Sequence, residues 1–327
     1  MFYFVCFLRL LATALITNSH YADVWPVSAM ACGGLLGNVI FFSVSGFCLY
    51  NVKPGFLRWY GKRFLKVYPI VAAFTLFTVV IGAYRLGGMA DFIRLFVFPT
   101  NYVFIAWIVL LYVPFYFVSL LDGRKSNIVK WTGFFLVVVW IAVYLLFIDK
   151  SRYVVDAVES PFILFLYFAS MLMGAWFRKN RDRFDSFKPM HAVYAACALV
   201  LYFGSKIVIS RMEALYPLQL LNQAVLLLAL AFVFAIAIEL EDTFLGLDKR
   251  LLSAVELISN MTLHIYVVQF IVIRRFSGLV FPLNLIVVTA LILMCAAALY
   301  YLEYYVRRGL LKLFNNPDRE LKNNAEN

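Results

Sequence analysis

Apolar runs about as long as a membrane is thick recur along this 327-residue chain. A helix needs roughly 20 apolar residues to cross a hydrocarbon core of about 30 Å. Ten runs approach that length, at residues 2–20, 31–50, 64–84, 95–121, 132–148, 161–177, 190–209, 219–239, 257–273 and 282–305. Only 14% of the residues are charged, against about a quarter in soluble proteins. The sequence therefore predicts an all-α integral membrane protein with about ten transmembrane helices in one bundle.

Lysine and arginine are distributed unevenly between the connections. The even-numbered connections and the C-terminal segment hold 19 of the 29 basic residues, and the odd-numbered connections hold 8. Because cytoplasmic loops are enriched in lysine and arginine, both termini are predicted to be cytoplasmic. This pattern explains the net charge of +11 by the orientation of the chain in a lipid bilayer. We therefore expect a membrane, and no nucleic acid, as the partner. We assign residues 1–310 to one membrane domain and residues 311–327 to a short polar cytoplasmic tail.

The cysteines give no sign of a metal site. The chain has five, at Cys6, Cys32, Cys48, Cys197 and Cys295, and none forms a CxxC pair. Such an odd, scattered set predicts neither a disulfide framework nor a zinc site. Because the connections between the runs are short, any chemistry is expected among the helices.

The first apolar run carries two basic residues, Arg9 and His20. Eleven helical residues advance about 16 Å and turn about 20° past three full turns, so the two side chains share a face. An arginine within a membrane span costs roughly 2.5–3.5 kcal/mol on insertion scales and usually faces a bundle interior or cavity. The pair is consistent with two depths of one polar channel. It is also consistent with an arginine that extends to the inner surface and a histidine that caps the helix.

The second run contains a small and polar interruption, Ser43, Ser45 and Gly46. Small residues in a membrane helix permit close approach of a neighbouring helix or a local break. A supporting function is therefore considered for Ser45 and Gly46.

A basic pair precedes the third run. Arg63 and Lys66 are three residues apart, share a helix face and stand just before Tyr68. They predict an anion site at the inner mouth of the bundle. Ordinary anchoring of a positive loop is the alternative, and it explains Lys53 and Arg58 better than Lys66.

Taken in order, these patterns resemble a known family. An arginine followed after ten residues by a histidine, then "FFSVSGF", then a basic pair before "YP", is similar to the acyltransferase-3 family of integral membrane acyltransferases. "NYVFIAWIVLLYVPFYFVSLL", which contains Trp107, resembles the fourth span of that family. "TLHIYVVQF" and "YLEYYV" resemble its last two spans, so the resemblance covers nearly the whole chain.

The resemblance implies a function and a location. The family includes O-acetyltransferases of bacterial surface polysaccharides, which implies a multi-pass protein of the bacterial inner membrane. It implies transfer of an acyl group, usually acetyl, from acyl-CoA to a carbohydrate hydroxyl, with no permanently bound cofactor. In this layout Arg63 and Lys66 hold the donor phosphates, Arg9 counters a donor phosphate or the thioester oxyanion, and His20 acts as general base. Direct transfer and an acyl-histidine intermediate both remain open.

This chain departs from the family pattern at three positions. Lys66 stands where the family has a second arginine, which loses a bidentate guanidinium. Gln269 stands where many members have histidine. Glu303 is followed by Tyr304 rather than proline and is kept as a possible structural counterion. His264 is interpreted as a hydrogen-bonded interior histidine without that family role. Tyr68, Trp107 and Glu303 complete the possible supporting residues.

Two other functional classes also fit a bundle of this kind. A carrier or exporter of a polysaccharide or lipid-linked sugar needs intramembrane charge and about ten spans as well. An inactive scaffold subunit would explain Lys66 and Gln269 as lost functional residues. The joint presence of Arg9, His20 and Arg63 favours the enzyme.

Overall fold

The computed structural model describes residues 2–99, 102–122, 127–154 and 161–314, with side chains as far as residue 308. Within these ranges the regular structure is entirely helical. The helices are α1 (Tyr3–Ser19), α2 (Gly34–Leu49), α3 (Phe56–Val80), α4 (Met89–Phe92), α5 (Val103–Asp122), α6 (Ile128–Phe147), α7 (Ile163–Lys179), α8 (Pro189–Arg211), α9 (Gln219–Glu239), α10 (Glu241–Leu245), α11 (Lys249–Asn260), α12 (Thr262–Phe276) and α13 (Leu283–Phe314).

Seven of the described helices are long and apolar enough to cross a membrane, namely α2, α3, α5, α6, α8, α9 and α13. An eighth is obtained if α11 and α12, which meet at a bend of 67°, count as one broken span. Both α1 and α7 have 17 residues, and α7 is buried along most of its length. The chain is therefore a multi-pass helical membrane protein, while a count of ten spans and the side of the termini stay predictions.

Several helix boundaries differ from the apolar runs. Helix α3 begins at Phe56, eight residues before the run, so Arg63 and Lys66 lie inside the helix. The run 95–121 corresponds to a short π-helical turn, Ile93–Val97, followed by α5. The interruption falls at Pro99, because proline has no N–H to donate and restricts the residue before it.

The C-terminal end also extends beyond the apolar run. Helix α13 continues to Phe314, four residues into the segment predicted as tail. Residues 315–327 of that segment lie outside the described residues.

Helices α2 and α7 make the closest contact of the bundle. A Cβ atom on Gly46 would lie 1.9 Å from the carbonyl oxygen of Met171. A Cβ atom on Gly174 would lie 1.8 Å from the carbonyl oxygen of Ser43. The two backbones can approach so closely only because these positions lack a side chain. The polar interruption in the second run thus permits close approach, and α2 continues through it without a break.

Five helices enclose the space in which the polar residues meet. Helix α1 packs against α2 and α12, α12 packs against α3, α3 packs against α5, and α5 packs against α2. Helix α7 supports α2 from outside this ring, and α8 packs on α9. Helix α13 packs on the outer side of α12. The enclosed space is therefore bounded by helices from both ends of the sequence.

The α2–α7 contact predicts a strong penalty for the smallest possible enlargement. Gly174→Ala places a methyl group against backbone atoms of α2, so the two helices must separate. We expect the free energy of unfolding to fall by about 1–3 kcal/mol. The thermal unfolding midpoint of the protein in detergent measures this. Gly204→Ala on α8 is the matched control, because nothing lies within 4 Å of its Cβ position. Equal midpoints for the two variants would contradict the close contact.

Candidate active site

One face of α1 is a stripe of polar side chains, Arg9, Thr13, Thr17 and His20. Their spacings of four, four and three residues bring them onto one side of the helix. The Thr13 hydroxyl donates to the carbonyl oxygen of Arg9 at 2.7 Å, a common arrangement for threonine within a helix. The sequence analysis identified only the two ends of this stripe. The same spacing rule would have found the two threonines between them.

Basic side chains from three helices meet at the Arg9 end. Lys66 on α3 interacts electrostatically with Arg9, with Arg63 on its own helix and with Arg307 on α13. Arg9 also interacts electrostatically with Cys48 on α2. The structure therefore brings Arg9 near Arg63 and Lys66, the pair that the sequence predicted as an anion site. Arg307 was missed, because no spacing rule connects it to the first three helices.

Arg63 is held by an aromatic side chain. Its guanidinium carbon lies 5.5 Å from the centre of the Trp59 ring, a cation–π geometry. Its Nε atom is buried and has no hydrogen-bond partner among the described residues. The Arg63 side chain is thus positioned by packing and retains a free donor.

A second group of cations borders the same end of α1. The guanidinium of Arg178, at the end of α7, lies over the rings of Phe2 and Phe47 at 4.9 and 5.2 Å. Arg178 also acts electrostatically on Cys48, as Arg9 does. Arg181 lies over Phe2 at 4.2 Å. The positive charge around the Arg9 end is therefore larger than the sequence motifs indicated.

Four of the possible supporting residues have no described contact with this basic cluster. Gly46 faces α7, and Ser45 beside it is half-buried on α2. Tyr68 stacks on Phe64 with ring centres 4.4 Å apart. Trp107 is partly buried against the main hydrophobic core, where its ring contacts Phe98 edge-on. The described contacts of these residues are with packing partners.

His20 follows the last residue of α1 and is half-buried. Its ring packs edge-on against Phe270 of α12, with centres 4.6 Å apart. No described side chain or backbone group forms a hydrogen bond with the imidazole. The nearby Asn18 instead organises the following loop, where its amide donates to the carbonyl oxygens of Met30 and Cys32. The His20 nitrogens are thus available to another molecule.

A small cavity lies between the two ends of the stripe. It measures about 30 Å³ and is bounded by α1, α2, α5 and α12. Its lining includes the polar residues Thr13, Thr17, Thr262, Tyr266 and Gln269, but the surface that faces the cavity is apolar. The Thr17 hydroxyl donates to Oε1 of Gln269 at 2.9 Å. The stripe, the cavity and the basic cluster thus follow one line along α1.

Glu303 lies outside that line. Its Oε2 atom is 3.0 Å from Nε2 of His264, which is 3% exposed at the interface of α12 and α13. The other ring nitrogen of His264, Nδ1, is buried without a hydrogen-bond partner among the described residues. The interior histidine is therefore hydrogen-bonded at one nitrogen, with Glu303 as the partner.

The start of α1 is capped from a distant part of the chain. Phe2 precedes the helix and supplies no side-chain cap. The buried carboxylate of Glu241, at the start of α10, accepts hydrogen bonds from the backbone N–H groups of Tyr3 and Phe4 at 2.9 and 2.7 Å. A carboxylate at this position also interacts favourably with the positive end of the helix dipole. Glu241 therefore fixes the helix that carries Arg9 and His20.

The chain matches a known family model over nearly its whole length. The acyltransferase-3 family model, described as an acyltransferase domain, matches residues 2–303. The match covers essentially the whole chain, so the protein belongs to this family of membrane acyltransferases. Comparisons with curated proteins and with solved structures give no significant match.

The cap on α1 predicts that a charge-removing change at a distant residue destabilises the site. Glu241→Gln replaces one carboxylate acceptor with a donor that faces N–H groups, and we expect a loss of about 1–2 kcal/mol. The thermal unfolding midpoint in detergent measures the change. Asp242→Asn is the control, since Asp242 is exposed and adjacent in sequence. A midpoint for Glu241→Gln no lower than that of the control would contradict the cap.

Proposed function

We propose that this acyltransferase moves an acetyl or similar short acyl group from cytoplasmic acyl-CoA to a hydroxyl of a surface or lipid-linked polysaccharide. The observation that supports this most directly is the arrangement along α1. A basic cluster lies at one end, an imidazole without a hydrogen bond to any described residue lies about 16 Å away, and a small cavity lies between them. This matches a donor with a charged head and a reactive group at the end of a thin arm.

The basic cluster is the proposed site for the donor phosphates. Arg63 keeps a buried Nε donor without a partner among the described residues, and Lys66 adds a compact positive charge beside it. Arginine can bind phosphate through two parallel hydrogen bonds, whereas lysine acts as a point charge. Arg9 lies where the pantetheine arm would enter the bundle. Because acyl-CoA is made in the cytoplasm, this end of α1 is proposed to face the cytoplasm, with both termini on that side of a bacterial inner membrane.

His20 is the proposed general base. A hydroxyl oxygen of the carbohydrate attacks the thioester carbonyl carbon, and the imidazole takes the hydroxyl proton. The carbonyl electrons move to the oxygen and then return, so that the carbon–sulfur bond breaks and the CoA thiolate leaves. The imidazolium then returns its proton to the thiolate. The products are the acyl ester and CoA, and His20 ends in its original state.

Removal of the imidazole is the primary test of this function. We expect His20→Ala to reduce acyl-CoA-dependent labelling of a surface glycan by about 10²–10⁴-fold, because general-base catalysis contributes that much, while acyl-CoA binding is retained. Labelling is measured in cells or proteoliposomes, with donor binding in parallel. His191→Gln is the control, since it removes an imidazole that pairs with Glu239, away from the α1 stripe. Wild-type protein that neither binds acyl-CoA nor labels a glycan in its host would favour a carrier instead.

The basic cluster makes a separate prediction about donor affinity. Arg63→Gln and Lys66→Gln are each expected to weaken acyl-CoA binding about 10- to 100-fold, the range of a hydrogen bond to a charged group, with a smaller effect on kcat. Binding titrations at several salt concentrations measure this, and the wild type is expected to weaken as salt rises. Arg58→Gln is the matched control, because Arg58 is an exposed cation on the same helix. Equal affinities for all three variants would argue against phosphate binding at this cluster.

A further inference from the structure

The side-chain amide of Gln269 on α12 combines complete burial with a hydrogen-bond donor that is unpaired in the described part of the chain. This residue is 0% exposed. Its Oε1 atom accepts a hydrogen bond from Thr17 at 2.9 Å, but its Nε2 atom is buried and has no partner among the described residues. Buried donors in native proteins are almost always paired, so an unpaired one calls for an explanation such as a ligand.

The position of this amide indicates what the ligand would be. Gln269 lines the small cavity on α1, together with the polar residues Thr13, Thr17, Thr262 and Tyr266. The next residue, Phe270, packs against the His20 ring, and Thr17 precedes His20 by about one helical turn. The free amide donor is therefore close to the proposed base, on the side of the basic cluster.

The chemistry of an acyl donor fits this site. An amide N–H donates to an oxygen acceptor, and the carbonyl oxygen of a thioester is such an acceptor. In the proposed layout the CoA head occupies the basic cluster and the acyl group reaches the cavity. A volume of about 30 Å³ with mostly apolar walls suits a short acyl chain better than a long one.

We propose that Gln269 is a catalytic residue whose Nε2 donates a hydrogen bond to the carbonyl oxygen of the acyl donor. This inference depends on the proposed acyl-CoA function. When the acceptor hydroxyl oxygen attacks the carbonyl carbon, the carbonyl electron pair moves to the oxygen, and the amide stabilises the resulting oxyanion. No proton leaves Gln269 in the reaction. The Thr17 hydroxyl orients the amide by binding Oε1 and leaving Nε2 free.

The main test removes the donor while preserving size. Gln269→Met has a side chain of similar length with no N–H, and we expect kcat to fall by about 10²–10³-fold, as for loss of one oxyanion donor, while acetyl-CoA binding weakens only several-fold. Thr17→Val is the matched control, since it removes the other half of the same hydrogen bond and leaves the Nε2 donor in place. Its loss in kcat is expected to be clearly smaller. Equal losses in the two variants would reduce Gln269 to a link between α1 and α12 and overturn the proposal.

A second measurement needs no variant and remains informative if Gln269→Met does not fold. Wild-type protein is titrated with acetyl-CoA and with S-ethyl-CoA, a thioether that lacks the carbonyl oxygen. We expect acetyl-CoA to bind several-fold more tightly, because only it accepts the hydrogen bond from Gln269. Where Gln269→Met folds, the difference should disappear in that variant. Equal binding of the two ligands by the wild type would overturn the proposal.

The outcomes separate this inference from the function on which it depends. If the wild type binds no acyl-CoA and labels no glycan, the acyl-CoA function fails and Gln269 has no carbonyl to bind. If the wild type transfers acyl groups and Gln269→Met keeps its kcat, only the inference about Gln269 is wrong.

Discussion

The hydrocarbon interior of a membrane cannot solvate polar groups, and this restricts where the polar side chains of this protein can lie. A charge or an unpaired hydrogen-bonding group facing hydrocarbon is costly, so such groups turn toward the interior of a helical bundle. Helix α1 carries such a stripe of polar side chains, from Arg9 to His20, and it packs between α2 and α12. The position of the other helices around α1 provides the interior that this stripe requires.

Two contacts from distant parts of the chain hold α1 and its neighbours in place. The Glu241 carboxylate satisfies the first backbone N–H groups of α1, which have no local cap. Gly46 and Gly174 allow α2 and α7 to approach until their backbones touch, and α2 is the helix against which α1 packs. The residues that make these two contacts are not part of the proposed substrate sites. Both determine where Arg9 and His20 lie, because a shift of α1 moves both ends of the stripe together.

The proposed site places donor binding, carbonyl binding and acceptor approach at different positions along α1, and each needs a different environment. Fixed positive charge at the Arg9 end suits a phosphate-rich head group, and its effect decreases with salt. The cavity around Gln269 is small and mostly apolar, so a hydrogen bond made there is stronger than one in water. His20 lies at the opposite end of the stripe from Arg9, where a carbohydrate hydroxyl can approach. One helix thus connects a proposed donor site to a proposed acceptor site across about half the membrane thickness.

The sequence by itself determined the class of fold and the two ends of the site. Apolar run length indicated a multi-pass helical bundle, and helical spacing placed Arg9 with His20 and Arg63 with Lys66, because both depend only on local periodicity. The same periodicity places Thr13 and Thr17 on that face of α1. Only the tertiary structure revealed that Glu241 and Gln269 bind α1, through hydrogen bonds that span 237 and 252 residues of sequence. Such contacts depend on which helices pack together, and no local pattern encodes that choice.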